Sequence, residues 1–265
     1  MSLPRFAVMG NPIEYSLSPQ IHQQFAQQTG RTLVYERLLI DDAAFEAQVL
    51  AFFKAGGRGL NITQPFKERA FQLSKEQTSR CKEAKSANTL WMNGTRLSAD
   101  NTDGAGLLRD LKQRLTLADA RVLLIGAGGA ARGVLRPLLA AKAEVTVTNR
   151  TCEKAECLRR ELHGAIDVVA FDASIGGYDL IINATSARLS DTPADFPLIW
   201  LEGSPFCYDL VYHASGGLTP FVTWARTAGC VARDGFGMLV EQAAEAFFIW
   251  HGVRPDTTVE AQCRT

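Results

Sequence analysis

Residues 121–132, Arg121-Val122-Leu123-Leu124-Ile125-Gly126-Ala127-Gly128-Gly129-Ala130-Ala131-Arg132, decide the fold. The run 122–125 is wholly apolar, as a strand covered on both faces requires. It breaks at once into glycines, and a helix follows. Glycines alone also serve ordinary tight turns, so the strand before and the helix after carry the argument. The spacing fits G-x-G-x-x-G/A, with Ala131 in the last small position. Such a turn lets backbone approach a pyrophosphate closely and aims the free N–H groups of the next helix at it. Gly126, Ala127, Gly128, Gly129 and Ala130 are therefore read as cofactor-binding.

The following strand, expected over 144–148, refines the cofactor. About 20 residues beyond the glycines an NAD site carries Asp or Glu for the ribose 2′-hydroxyl. Asn149, Arg150 and Thr151 stand there instead. An arginine with a hydroxyl neighbour suits a 2′-phosphate, which an acid would repel, so NADP is expected. The competing reading is a solvated Arg150 at a strand end. Further strands at 178–183 and 206–211 complete a self-contained α/β unit.

Upstream lies a second α/β pattern. Strands are expected at 5–10, 33–39 and 59–62, with helices between them. Ser18 and Pro19 mark a helix start with serine as N-cap, Gly30 its end, and Gly56-Gly57 the end of a helix over 43–54. Strands alternating with helices imply a parallel sheet. A last apolar helix over 238–248 follows an Asp-Gly turn. The expected fold is α/β with two domains. The pattern restarts around residues 100–106.

The 265 residues are 46% hydrophobic and 21% charged, enough for sizeable cores. Twenty-eight basic and 28 acidic residues balance, which argues against nucleic-acid or membrane partners held by charge. The start, MSLPRFAVMGNP, lacks the apolar region of an export signal. No segment approaches the ~18 consecutive apolar residues of a membrane helix. The six cysteines form no CxxC pair, so reduced thiols, no metal and a cytoplasmic location are expected. His22, His163, His213 and His251 form no constellation and are read as surface or satisfied residues.

Polar groups gather in the first domain. Ser16 and Ser18 sit at a helix N-terminus, which favours a small carboxylate, although capping alone would explain Ser18. Asn61, Thr63 and Lys67 follow the third strand, and Ala87-Asn88-Thr89-Leu90 and Asp100-Asn101-Thr102-Asp103-Gly104 come after. Ligand groups collect at strand C-terminal ends in such sheets. Asn61 and Thr63 are accordingly substrate-contact candidates.

The motifs SLSP, NITQPFK, ANT, NTDG, GAGGAAR, NRT, YDLVY, TPF and DGFGMLVEQA occur in the order found in the shikimate dehydrogenase family, which the chain resembles over essentially its whole length. The resemblance implies reduction of 3-dehydroshikimate to shikimate with NADPH, on the route to aromatic amino acids. It also implies a substrate-binding domain of residues 1–102 with 237–265, a Rossmann NADP-binding domain of residues 103–236, and C-terminal helices that return to the first domain. Ser16 and Ser18 would hold the substrate carboxylate, and Thr63, Asn88, Asp103 and Gln242 its hydroxyls. Lys67 and Asp103 would form the catalytic pair, and Tyr212 would reach the substrate. Residues 126–130 and 149–154, thus including Lys154, with Leu210 and Gly235, would line the cofactor. Lys67 suits the chemistry, because hydride transfer at a carbon bearing oxygen requires a proton to move at that oxygen.

Two stretches depart from the family pattern. Ala187-Arg188 stands where a glycine commonly follows, and the segment 213–218 is longer than usual. Both bear on cofactor-loop geometry more than on reaction type. Quinate, or another related hydroxy acid, is an alternative substrate, and a non-catalytic NADP- or metabolite-binding regulator an alternative of another class. The presence of both Lys67 and Asp103 speaks against the latter. The assembly is expected to be a monomer or homodimer.

Overall fold

Residues 3–185 and 196–258 are described by a computed structural model. They fall into two units, Met1–Leu107 with Leu239–Thr265, and Leu108–Met238. In the first, β1 (Arg5–Gly10) lies between β2 (Val34–Leu39) and β3 (Gly57–Ile62), all parallel. Helices α1 (Ser18–Gln28) and α2 (Phe45–Lys54) make the crossovers. Then follow α3 (Lys67–Leu73), a short β4 (Glu76–Gln77), α4 (Ser79–Ala84), and a hairpin of β5 (Thr89–Asn93) and β6 (Arg96–Asp100). The strand order is β2-β1-β3-β5-β6-β4.

This sheet is mixed, whereas strand–helix alternation implies a parallel one. β5 pairs antiparallel with β3 and with β6. The hairpin turns through Gly94 and Thr95, and the Gly94 φ of +60° is left-handed. A two-residue turn that opens on such a glycine joins antiparallel strands, and a parallel neighbour needs a crossover of about a dozen residues. The core beneath the sheet includes Met9, Leu60, Leu90 and the stacked rings of Phe45 and Phe66, 4.8 Å apart.

The chain leaves the first unit within α5 (Asp103–Lys112) and returns to it within α9 (Phe236–His251). The sequence-based boundaries, 102/103 and 236/237, lie at the first turns of these two helices. The second unit comprises β7 (Arg121–Ile125), α6 (Gly129–Ala140), β8 (Glu144–Thr148), α7 (Cys152–Glu161), β9 (Asp167–Val169), β10 (Leu180–Asn183), β11 (Phe206–Asp209), α8 (Pro220–Thr227) and β12 (Ala232–Arg233). All six strands are parallel in the order β12-β11-β10-β7-β8-β9. Counted from β7, this is the 3-2-1-4-5-6 order of a dinucleotide-binding sheet, which reverses beside β7.

Candidate active site

The end of β3 delivers Thr63, whose N–H donates to the Met9 carbonyl while its own carbonyl accepts the Phe66 N–H. That turn places Lys67 as the first residue of α3. Its ammonium donates to Asp103 Oδ2 at 2.6 Å, with the two side chains 19% and 6% exposed. Lys67 is thus an inward-facing lysine, while its neighbour Glu68 is exposed.

Asn88 organises what surrounds the pair. Its Nδ2 donates to Asp103 Oδ1 (2.8 Å), Thr102 Oγ1 (2.9 Å) and Gln242 Oε1 (3.1 Å). Its Oδ1 accepts the N–H of Thr102 at 2.8 Å. Gln242, on α9, also accepts from the Thr102 hydroxyl. Lys67, Asn88, Asp103 and Gln242 are therefore brought into one hydrogen-bonded cluster. Asn61 joins through protein partners: it accepts from the Tyr35 hydroxyl at 2.7 Å and donates to the Asn88 carbonyl and Thr89 Oγ1. With its amide engaged on both ends, Asn61 links β3 to β5 and meets the Tyr35 hydroxyl.

Ser18 is the first residue of α1 and not its cap; the N-cap position is Leu17. The expectation of a capping serine at 18 fails because the helix already begins there, and no side-chain hydrogen bond caps it; Ser16 Oγ accepts the Ser18 N–H at 3.3 Å. Ser16 Oγ also donates to Ser18 Oγ at 3.2 Å, so both hydroxyls face one place. Arg37 steadies this loop from β2, donating to the Ser16 carbonyl and Gln20. His22, expected at the surface or satisfied, is fully buried and stacks on Tyr35 with ring centroids 4.3 Å apart. Burial, with His251 nearby, lowers its pKa to about 3, so the ring is neutral near pH 7.

In the second unit, Gly126 has φ +114°, and a Cβ there would stand 3.0 Å from the Ala184 carbonyl oxygen. Only glycine suits that backbone and that approach. Cβ positions at Gly128 and Gly129 meet nothing within 4 Å. This leaves an open face at the N-terminus of α6, where a pyrophosphate fits. Ala127 is buried, Ala130 partly so, and Ala131 packs fully inside. Asn149 Nδ2 donates to the Thr151 carbonyl. Arg150, Thr151 and Lys154 are exposed at the start of α7, and Arg150 has no carboxylate partner among the described residues. That donor set fits a 2′-phosphate.

Leu210 donates its N–H to the Asn183 carbonyl, and Gly235 donates to the Val211 carbonyl, so these two stand side by side. Tyr212 follows, with its ring edge-on to Phe236 at 6.4 Å. Residues Ala187 and Arg188 lie outside the described residues. Among the described residues no group of three or more His, Cys, Asp or Glu is placed to hold a metal ion, and no helix is long and apolar enough to cross a membrane.

Asp209 ties these loops together. It accepts from Asn183 Nδ2 (3.0 Å), the Val211 N–H (3.1 Å) and the Thr219 hydroxyl (2.6 Å). Burial raises its pKa to about 6 despite those donors. A folded-state pKa above the unfolded value of 3.8 means the folded state binds the proton more tightly. Stability is therefore greatest below pH 4 for this group and declines as pH rises towards 6, by about 3 kcal/mol. Asp209→Asn removes that charge. Relative to this variant, the wild-type unfolding free energy in urea should fall by this amount between pH 4 and 7. A pH-independent difference would contradict it.

Three family models match the chain in order. They are the shikimate dehydrogenase substrate binding domain over residues 8–90, shikimate / quinate 5-dehydrogenase over 109–190, and the shikimate 5′-dehydrogenase C-terminal domain over 235–259. A shikimate dehydrogenase (NADP(+)) of Legionella pneumophila (strain Corby) is 56% identical over 256 residues, 96% of either chain. One from Alkalilimnicola ehrlichii is 50% identical, covering 96% of this chain and 95% of its own. The shikimate 5-dehydrogenase of Thermus thermophilus, solved in complex with NADP(H) and shikimate, is 32% identical. It superposes with a TM-score of 0.89 over 99% of this chain and 98% of that one.

Proposed function

This chain belongs to the shikimate dehydrogenase family, and from that premise we propose how its residues divide the reaction. It is an NADP-dependent oxidoreductase that interconverts 3-dehydroshikimate and shikimate. NADP, when bound, supplies or takes up the hydride at the carbon that bears the reacting oxygen. Lys67 gives a proton to that oxygen in reduction and takes it back in oxidation. Asp103 holds the ammonium in place at 2.6 Å, which is the observation that carries the reading.

Ser16 and Ser18 receive the substrate carboxylate. Thr63, Asn88, Asp103 and Gln242 take its hydroxyls, and Tyr212 contributes a further contact. Asn61 is a further substrate contact, held in place by Tyr35 and the Asn88 carbonyl. Residues 126–130 cradle the pyrophosphate, and Leu210 and Gly235 flank the cofactor. Asn149, Arg150, Thr151 and Lys154 meet the 2′-phosphate. Residues 1–102 with 237–265 act as the substrate domain and 103–236 as the cofactor domain. The free thiols Cys81, Cys207 and Cys230, all buried, support a reducing, cytoplasmic setting for a monomer or homodimer.

The test is reduction of NADP⁺ or NAD⁺ by purified protein with shikimate or quinate, followed at 340 nm. NADP⁺ with shikimate should be the preferred pair, and no turnover of that pair would refute the reading. Preferential oxidation of quinate would assign the alternative substrate. In the same assay Arg150→Ala should raise KM for NADP⁺ roughly 10- to 100-fold, because charge-assisted bonds to a phosphate are worth about 1.5–3 kcal/mol. KM for NAD⁺, which has no such phosphate, should barely move. A parallel rise for both cofactors would remove Arg150 from 2′-phosphate recognition.

A further inference from the structure

Arg80, the second residue of α4, belongs to none of the motifs above. Its guanidinium nonetheless joins two segments that present site residues. Nε donates to Asp100 Oδ1 at 2.8 Å and Nη2 to Asp100 Oδ2 at 2.5 Å, a forked pair. Nη2 also donates to Glu245 Oε1 at 3.0 Å. The two carboxylate side chains are only 4% and 11% exposed. Thr78 and the Asn101 N–H complete the donors to Asp100, and Arg254 binds the other oxygen of Glu245.

Asp100 ends β6, and its backbone carbonyl accepts the Asn88 N–H at 3.0 Å. Its carboxylate fixes the Asn101 N–H at 2.7 Å, and Asn101 Oδ1 then accepts the Asp103 N–H at 3.1 Å. The clamp thus reaches Asp103 by two short hydrogen-bonded steps. At its other end, Glu245 lies three residues after Gln242 on α9, one turn along the helix. A rigid planar fork sets both segments at once, which a flexible point charge cannot do.

We propose that Arg80 is a positioning residue for proton transfer: by bridging Asp100 and Glu245 it fixes the turn that presents Asp103 and the helix turn that presents Gln242. The proposal rests on the catalytic roles given above for Lys67 and Asp103. A purely structural ion pair would also cost stability when broken, so the test must separate placement from stability.

Arg80→Lys keeps the charge and loses the fork. It should lower kcat for shikimate oxidation roughly 10- to 100-fold, the scale of an ångström misplacement. KM for NADP⁺ should stay within about twofold, since the clamp touches no residue assigned to the cofactor. In an Asp103→Asn background the same replacement should change kcat by less than about threefold, because the geometry it protects is already lost. Amide hydrogen exchange gives a readout independent of turnover. Asn101 and Asp103 should exchange at least about tenfold faster in Arg80→Lys, with the β1 amides unchanged. Should Arg80→Lys expose more of the chain globally, Glu245→Gln, which weakens one arm of the clamp, provides the second variant for both measurements.

Wild-type kcat in Arg80→Lys, an equal kcat loss in the Asp103→Asn background, or unchanged exchange at 101 and 103 would each overturn the clamp. Wild-type protein inactive on shikimate would instead overturn the assigned function, and the exchange rates would still decide whether the clamp holds the turn.

Discussion

Replacing Lys67 by methionine should lower kcat for shikimate oxidation by about three orders of magnitude, with KM for shikimate within about threefold of wild type. Methionine keeps the length and apolar bulk of the lysine stem, and the Lys67 carbonyl, which accepts the Ala87 N–H, is untouched. Asp103 keeps its hydrogen bond from Asn88 and its place at the start of α5, where a helix N-terminus favours negative charge. The variant should still fold, at a cost of about 1–3 kcal/mol for the Asp103 oxygen left without its donor. What disappears is the only ammonium hydrogen-bonded to Asp103 among the described residues, and general acid–base catalysis contributes about 10²–10⁴ in rate. The carboxylate grip of Ser16 and Ser18 does not pass through Lys67, so substrate binding should persist. Steady-state kinetics at saturating NADP⁺ decide the matter. A kcat within tenfold of wild type would leave the proton to another group.

Asp103→Asn should behave differently, lowering kcat about 100- to 1000-fold and also raising KM for shikimate about tenfold. Both carboxylate oxygens of Asp103 accept hydrogen bonds, one from Lys67 and one from Asn88. An asparagine offers one oxygen and one NH₂, so a donor must face a donor on one side. Either Asn88 turns, disturbing Thr102 and Gln242 with it, or Lys67 is left without its acceptor. The unmet buried contact should cost about 1–3 kcal/mol, a loss of the same kind as in Lys67→Met. The contrast between the two variants is in KM, which steady-state kinetics measure. Wild-type stability in denaturant with unchanged KM would show that Asp103 neither anchors Asn88 nor meets a substrate hydroxyl.

These two expectations draw on different kinds of information. That Lys67 follows a strand end by way of a proline turn is local, and it is visible in Asn61-Ile62-Thr63-Gln64-Pro65-Phe66-Lys67 itself. The glycine-rich turn is equally local: a buried-type strand, three glycines and a helix are consecutive text. Both survive in the fold because backbone preference and hydrophobic period act over a few residues. The antiparallel hairpin of β5 and β6 was local as well. Gly94-Thr95 between its strands is a two-residue link opening on glycine, a hairpin signal, and its turn explains why the first sheet is mixed.

The site itself is not local. Asn88 touches Gln242 across 154 positions and Arg80 reaches Glu245 across 165. Neither pairing leaves a periodic trace in the chain, because a hydrogen bond between distant segments is set by packing and not by spacing. Ser18 illustrates the limit: its position before Pro19 resembles a cap, yet α1 already begins there and Leu17 holds the N-cap position. His22 is another case, since four histidines without a pattern revealed nothing of its burial against Tyr35. Asp209 likewise ends a recognisable strand, but only the folded chain buries it, and that burial raises its pKa against the donors Asn183, Val211 and Thr219.

From the sequence alone came the two α/β patterns and the cofactor turn with its arginine in place of an acid. These are choices that adjacent residues make through sterics, period and charge. The tertiary structure decided which donors meet which acceptors: that Asn88 is the hub, that Asn61 serves it from within, and that Arg80 holds both segments bearing Asp103 and Gln242. Those pairings exist only once the chain has closed, because an acceptor has a partner only when folding brings one within about 3 Å.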